Sequence, residues 1–282
     1  MEILVMLIMF MIVSFGGVVG GLFFEKKYEE VLPLTHFVII VLMFFAGLTN
    51  LLYPGVWFIC LCIIIGYIIC FICIIKDVHG SIDKIKKNVF TKCFWIFLIS
   101  YFLIWICNIG KEVHHFDEFS CWGTRVKDMC RLDMLYTSEL ARSLAQSYPP
   151  ATALIQYLYE KIQYIIVGEK RFVAWYLFIA YQVFMVSFLV SLFGQLEVKT
   201  KWWNYILRVI FVLALPMMFY TYAYDTIMVD PILGVMLGYC FVLLLNKKGN
   251  IFELVVFVFG QIILSLTKDV TMFFCLMMWL YW

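Results

Sequence analysis

Eight long apolar runs leave this chain few folds to choose from. They lie at about 3–24, 34–52, 56–75, 91–109, 172–193, 203–220, 231–245 and 252–282, the last interrupted by Thr267, Lys268 and Asp269. A helix crossing a bilayer needs about 20 predominantly apolar residues, and lipid offers no partner to an unpaired backbone group. These runs therefore predict an all-α, polytopic transmembrane helical bundle of about eight or nine spans. Composition agrees, because 65% of the 282 residues are hydrophobic and 14% are charged, against about 45–50% and about 25% in soluble domains. What remains is too little for a large water-soluble domain. A net charge of +2 with no basic stripe also argues against nucleic acid as a partner.

Eight of the ten cysteines fall inside the apolar runs, where a free cysteine behaves as a small hydrophobe. Cys70 and Cys73 have the spacing of a redox or zinc motif, but Phe71 and Ile72 between them are apolar. Cys121 and Cys130 lie in polar sequence and, on a helix, stand about 13 Å apart, beyond disulfide reach.

Orientation follows from the loops. The first run opens on Met1-Glu2 without a basic flank and is too long for a signal-peptide core, so it reads as a retained helix. Lys26 and Lys27, then Lys76 to Lys92, then Lys199 and Lys201, then Lys247 and Lys248 follow alternate spans, whereas 53–55 and 221–230 contain no Lys or Arg. The positive-inside rule puts those lysines in the cytoplasm and the N-terminus outside. The chain then divides into N-terminal transmembrane helices at 1–109, an outer loop with juxtamembrane helices at 110–171, and transmembrane helices closing the site at 172–282. Gln156, Glu160, Lys161 and Gln163 make a span at Ala151–Val167 costly, so that stretch is expected to lie along the interface. A bacterial cytoplasmic membrane is the expected location, and membrane lipids are the expected surroundings.

Polar chemistry concentrates between Lys111 and Ser147, which hold 11 of the 40 charged residues and two of the four histidines. Phe119, Trp122, Val126, Met129 and Cys130 recur at near-helical spacing, predicting an amphipathic helix on the membrane surface. Asp117 and Glu118 precede it. A carboxylate there caps a helix or serves as a general base. His114 and His115 with Asp117 form the weak candidates for a divalent metal, although adjacent histidines usually point apart; the expectation is no cofactor. Tyr148-Pro149-Pro150 reads as a helix start. Arg171 ahead of an apolar run serves as a headgroup anchor or a phosphate contact. Asp225 and Asp230 occupy an outer loop, with Pro231 opening the next helix. Lys268 interrupts an apolar run and is a functional candidate, with a plain turn as the alternative.

In this order and on one face, these residues resemble the GT-C superfamily of integral-membrane glycosyltransferases. Asp117-Glu118 matches the acidic motif of that superfamily's first large outer loop. Ser147-Tyr148-Pro149-Pro150, then Gly168 and Arg171, match its Pro-Pro helix start and following Gly and Arg. Ser265-Leu266-Thr267-Lys268 is similar to a Leu-Thr-Lys turn of several members. The likeness covers about residues 105–282. Three spans precede the usual first one, implying an added N-terminal module, and Asp269 stands where Gly is frequent. The resemblance implies a polyprenyl-phosphate-linked sugar donor and a glycan, lipid or protein acceptor. It assigns Asp117 as base and Glu118 as its orienting partner. It assigns Arg171, Lys268 and Tyr148 to donor phosphate, and Trp122, Arg125, Asp225 and Asp230 to the substrate groove. Members generally run longer, so a chain stopping at Leu280-Tyr281-Trp282 reads as reduced or truncated. A transporter or flippase, with ionisable groups on a broken helix, is the competing class. A noncatalytic membrane scaffold is the third.

Overall fold

The computed structural model describes residues 1–144, 146–195, 202–245 and 250–281, among which there are helices and loops but no strand. Helices α1 (Glu2–Phe23), α2 (Tyr28–Leu48) and α3 (Leu52–Lys76) come first. A short α4 (Val78–Lys84) and a π-helical turn at Ile85–Val89 lead into α5 (Lys92–Asn108). A second π turn, Glu118–Trp122, precedes α6 (Gly123–Leu132) and α7 (Ala151–Val167). Then follow α8 (Trp175–Gln195), α9 (Trp202–Phe219), α10 (Val229–Leu245), α11 (Ile251–Ser265) and α12 (Thr271–Tyr281). The chain is an all-α bundle. Four helices, α1, α2, α3 and α8, are long and apolar enough to cross a membrane, and α4 with α5, bent by 66°, forms a fifth if counted as one span. Helices α9 to α12 are apolar but shorter.

Local chemistry sets the helix ends. Helix α2 begins before its apolar run because Glu29 and Glu30 fall in its first turn, where the macrodipole favours carboxylates, and Glu30 accepts from the Lys27 N–H. Thr91 caps α5 by accepting from Phe94 N at 3.2 Å, and its hydroxyl donates to Glu29 at 2.7 Å. The final apolar run folds back on itself. Phe257 faces Trp279, and Ser265 meets Cys275, so α11 and α12 form an antiparallel hairpin rather than one broken helix. The turn is built by two threonines, Thr267 on Ile263 O and Thr271 on Leu264 O and Lys268 O.

Helix α8 is the centre of the bundle: 94% of its apolar window is buried, against α2, α5, α7 and α10. Helix α3 is the opposite case, 17% buried, with Trp57, Leu61, Ile64, Ile68 and Phe71 facing outward. One end of the bundle gathers Lys26 over Phe252, Glu29 on Thr91, and Asn88 on Gly21. The other end gathers the 109–150 loop, the 220–228 loop and the Lys268 turn.

Helix α7 corrects the surface expectation. Its backbone begins at the α11–α12 turn, where Ala151 N donates to Leu266 O at 2.8 Å. Its Gln156 reaches Leu177 O at the start of α8, and its Lys161 lies 5.5 Å from the Tyr53 ring at the start of α3. Each landmark is a helix end, so α7 runs across the end of the bundle, in the plane foreseen for it. It is not exposed, however, and residues 151–163 are all buried. The roof is α6, whose Val126 and Met129 are fully buried and pack toward α7. The apolar face expected to rest on lipid rests on protein instead, because α7 offers it an equally dry surface.

Candidate active site

Three segments distant in sequence meet at the α7 end of the bundle, and buried polar groups hold them there. Asn108, in the last turn of α5, exchanges amide hydrogen bonds with Gln182 of α8 at 2.8 and 3.1 Å. Gln182 also donates to Tyr224 O at 2.8 Å. Tyr181 donates to Met228 O and accepts from Ile232 N. Helix α8 thus fixes both the start of the outer loop and the 220–228 loop.

Glu118 closes the junction. Its side chain is 0% exposed. One carboxylate oxygen accepts from Ile227 N at 3.1 Å and the other from His114 N and His115 N, both at 3.4 Å. A buried carboxylate is stable only with such donors around it. Asp117, its neighbour, is exposed. The two acids therefore have different duties, one tying loops together and the other facing solvent.

Around them lie two lysine–carboxylate pairs. Lys111 pairs with Asp225 at 2.5 Å, and Lys268 pairs with Asp230 at 2.6 Å. Burial, and then the carboxylates of Glu118, Asp230 and Asp117, push the Tyr220 phenol above the ordinary value. Glu118 meets the 220–228 loop through Ile227, Asp225 meets Lys111, and Lys268 meets Asp230 at the head of α10, so these segments share one end of the bundle.

Arg171 stands apart from Lys268. It follows Gly168 at the far end of α7 from Leu266, and a 17-residue helix spans about 25 Å. Val173 N donates to Glu160 at 3.3 Å and keeps that connection near the far half of α7. Arg171 and Lys268 therefore do not share one phosphate. Arg125 does not line an open groove either. It is 1% exposed, with its guanidinium 4.5 Å from the Trp122 ring, 4.8 Å from Tyr148 and 5.3 Å from Tyr136. Guanidinium stacks on aromatic faces, so Trp122, Tyr136 and Tyr148 form a cage that fixes the loop. Tyr136 also donates to Tyr148 O. Burial raises its phenol, and the Arg125 guanidinium opposes that.

The His114 and His115 rings lie 4.3 Å apart with their planes tilted by 41°; His114 lies 3.9 Å from Asp225, and His115 lies beside Tyr222. Among the described residues no three His, Cys, Asp or Glu side chains gather as a metal ligand set. Asp128 is a loop staple, accepting from Arg142 N at 2.7 Å and Ser143 N at 2.8 Å.

One pair on α7 had no sequence signal pointing inward. Lys161, 2% exposed, pairs with Asp133 at 2.5 Å and donates to Cys130 O at 2.9 Å. The rings of Tyr53, Tyr157 and Tyr164 surround its ammonium at 5.1 to 5.5 Å. Glu160 beside it is fully buried, and burial pushes its carboxyl up to about 9.

Compared with known proteins, the chain matches no protein-family model, no curated protein and no solved structure. Its site stands on its own geometry.

Proposed function

We propose that this protein is a membrane glycosyltransferase of the GT-C type. In this reading it transfers a sugar from a polyprenyl-phosphate-linked donor to a hydroxyl of a glycan, lipid or protein acceptor. About eight or nine helices cross the bacterial cytoplasmic membrane, and the N-terminus and the α7 end lie outside. The observation that supports it best is the division of labour at Asp117-Glu118: a locked, buried Glu118 stands next to an exposed Asp117, at the end of an apolar bundle that also carries the Lys268–Asp230 pair.

Asp117 takes the proton of the acceptor hydroxyl. The acceptor oxygen bonds to the anomeric carbon from one side while the carbon–oxygen bond to the donor phosphate breaks on the other, which inverts the centre. The leaving polyprenyl phosphate gains charge, and Lys268 answers it with a cation already in position. Donor phosphate competes with Asp230 for that ammonium. Arg171 has no part in the step.

Transfer of labelled sugar in proteoliposomes tests this. Asp117→Asn is expected to abolish transfer while expression and melting temperature stay unchanged. Retained transfer would sink the assignment of the base. Accumulation of labelled solute in vesicles, with no sugar transfer by the wild type, would replace the enzyme with a transporter.

A further inference from the structure

The opposite end of the bundle carries a second site that glycosyl transfer does not use. A polar cavity of about 460 Å³ opens there among Lys26, Lys27, Glu29, Glu30, Asn250 and Glu253. An apolar groove of about 540 Å³, between α1, α2 and α3, is lined by Phe15, Gly16, Gly20, Val38, Leu42 and Ile63. Lys26 and Phe252 line both, so the two spaces meet at that lysine. Lys26 lies 4.7 Å over the Phe252 ring, which fixes its ammonium at the junction.

The groove runs along α2 from Val31 to Leu42, a rise of about 16 Å. One leaflet of a bilayer's hydrocarbon core is about 15 Å deep. A single acyl chain fills such a length, whereas a polyprenyl chain overshoots it. Among the described residues, the cavity at its mouth holds two lysines and three glutamates. A purely anionic headgroup meets three carboxylates there and a purely cationic one meets two ammoniums. A headgroup with one phosphate and one primary ammonium answers both.

We propose that this cavity and groove bind one zwitterionic aminophospholipid of the phosphatidylethanolamine class, phosphate toward Lys26 and acyl chain between α1, α2 and α3. Glu30 and Glu253 receive the ammonium. The site is independent of the reaction proposed at Asp117.

Native mass spectrometry of the full chain in detergent, titrated with phosphatidylethanolamine or phosphatidylglycerol of identical acyl chains, tests this. The expected result is one retained phosphatidylethanolamine and weaker retention of phosphatidylglycerol. Lys26→Gln should weaken retention about tenfold, the worth of one charge-assisted hydrogen bond. Val38→Trp fills the groove from its lipid-facing side and should remove the adduct while leaving the lipid-free melting temperature unchanged. Equal retention of the two lipids overturns the headgroup assignment. Retention that survives both substitutions overturns the site.

Discussion

Glu118 and Asp117 show how neighbouring carboxylates of one motif separate into different tasks. Replacing Glu118 by Ala orphans the buried Ile227 N–H, at a cost of about 1–3 kcal/mol, and releases the part-buried His114 and His115 N–H groups to other partners. Glu118→Ala should therefore lower the melting temperature as well as transfer, whereas Asp117→Asn should lower transfer alone; thermal unfolding in detergent distinguishes them. Lys268 and Asp230 are partly exposed, so their pair contributes at most about 1 kcal/mol to stability. Lys268→Ala is expected to raise the apparent KM for donor with little change in melting. Asp230→Asn frees the ammonium for phosphate and should lower that KM. An unchanged KM in both variants would return the segment to a plain turn.

Helix α7 carries its own prediction. The Glu160 carboxyl is pushed up to about 9 by burial, against about 4.3 in an open chain. The folded state then binds more protons than the unfolded one across that interval, so stability is full at the acid end and falls as pH rises toward 9. Glu160→Gln should flatten the dependence of melting temperature on pH between those limits. At Asp133, removing the carboxylate leaves Lys161 charged and buried, whereas removing Lys161 leaves Asp133, which is 39% exposed, in contact with water. Asp133→Asn keeps the left-handed backbone that Asp and Asn tolerate and should still cost more stability than Lys161→Met. Elements of this kind were only half legible. The positions of α1, α3, α5 and α8 to α12 follow from hydropathy, because an apolar run of that length has few other fates. The acidic start of α2 was hidden because hydropathy scores Glu29 and Glu30 as breaks when they act as caps. That Glu160, Lys161 and Arg125 lie inside was not legible, since their partners Val173, Asp133 and Tyr148 arrive from other segments.

On the scale of the whole molecule, the two ends differ in chemistry, and topology makes that testable. Alkaline phosphatase acquires its disulfides only in an oxidising compartment, so a fusion after Glu139 should be active and one after Asp83 inactive. The reverse pattern would move the Asp117 site to the cytoplasm. That the 109–150 loop, the 220–228 loop and the Lys268 turn lie at one end of the bundle was legible as a shared face, because alternation of spans carries loops to a common side. Glu118 bonding a backbone group 109 positions away was not. The contrast between α8 and α3 also has a consequence for how freely the sequence can drift. Helix α8 touches protein nearly everywhere and already hosts Gln182, Ser187 and Ser191, so its sites are constrained by volume and admit polarity where a partner stands ready. Helix α3 is a candidate span with most of its apolar surface outside the bundle, so it should accept almost any apolar size and reject almost any charge. A substitution scan should therefore return two inverted tolerance profiles, one sensitive to bulk and the other to polarity, from two helices that both read from the sequence as candidate spans.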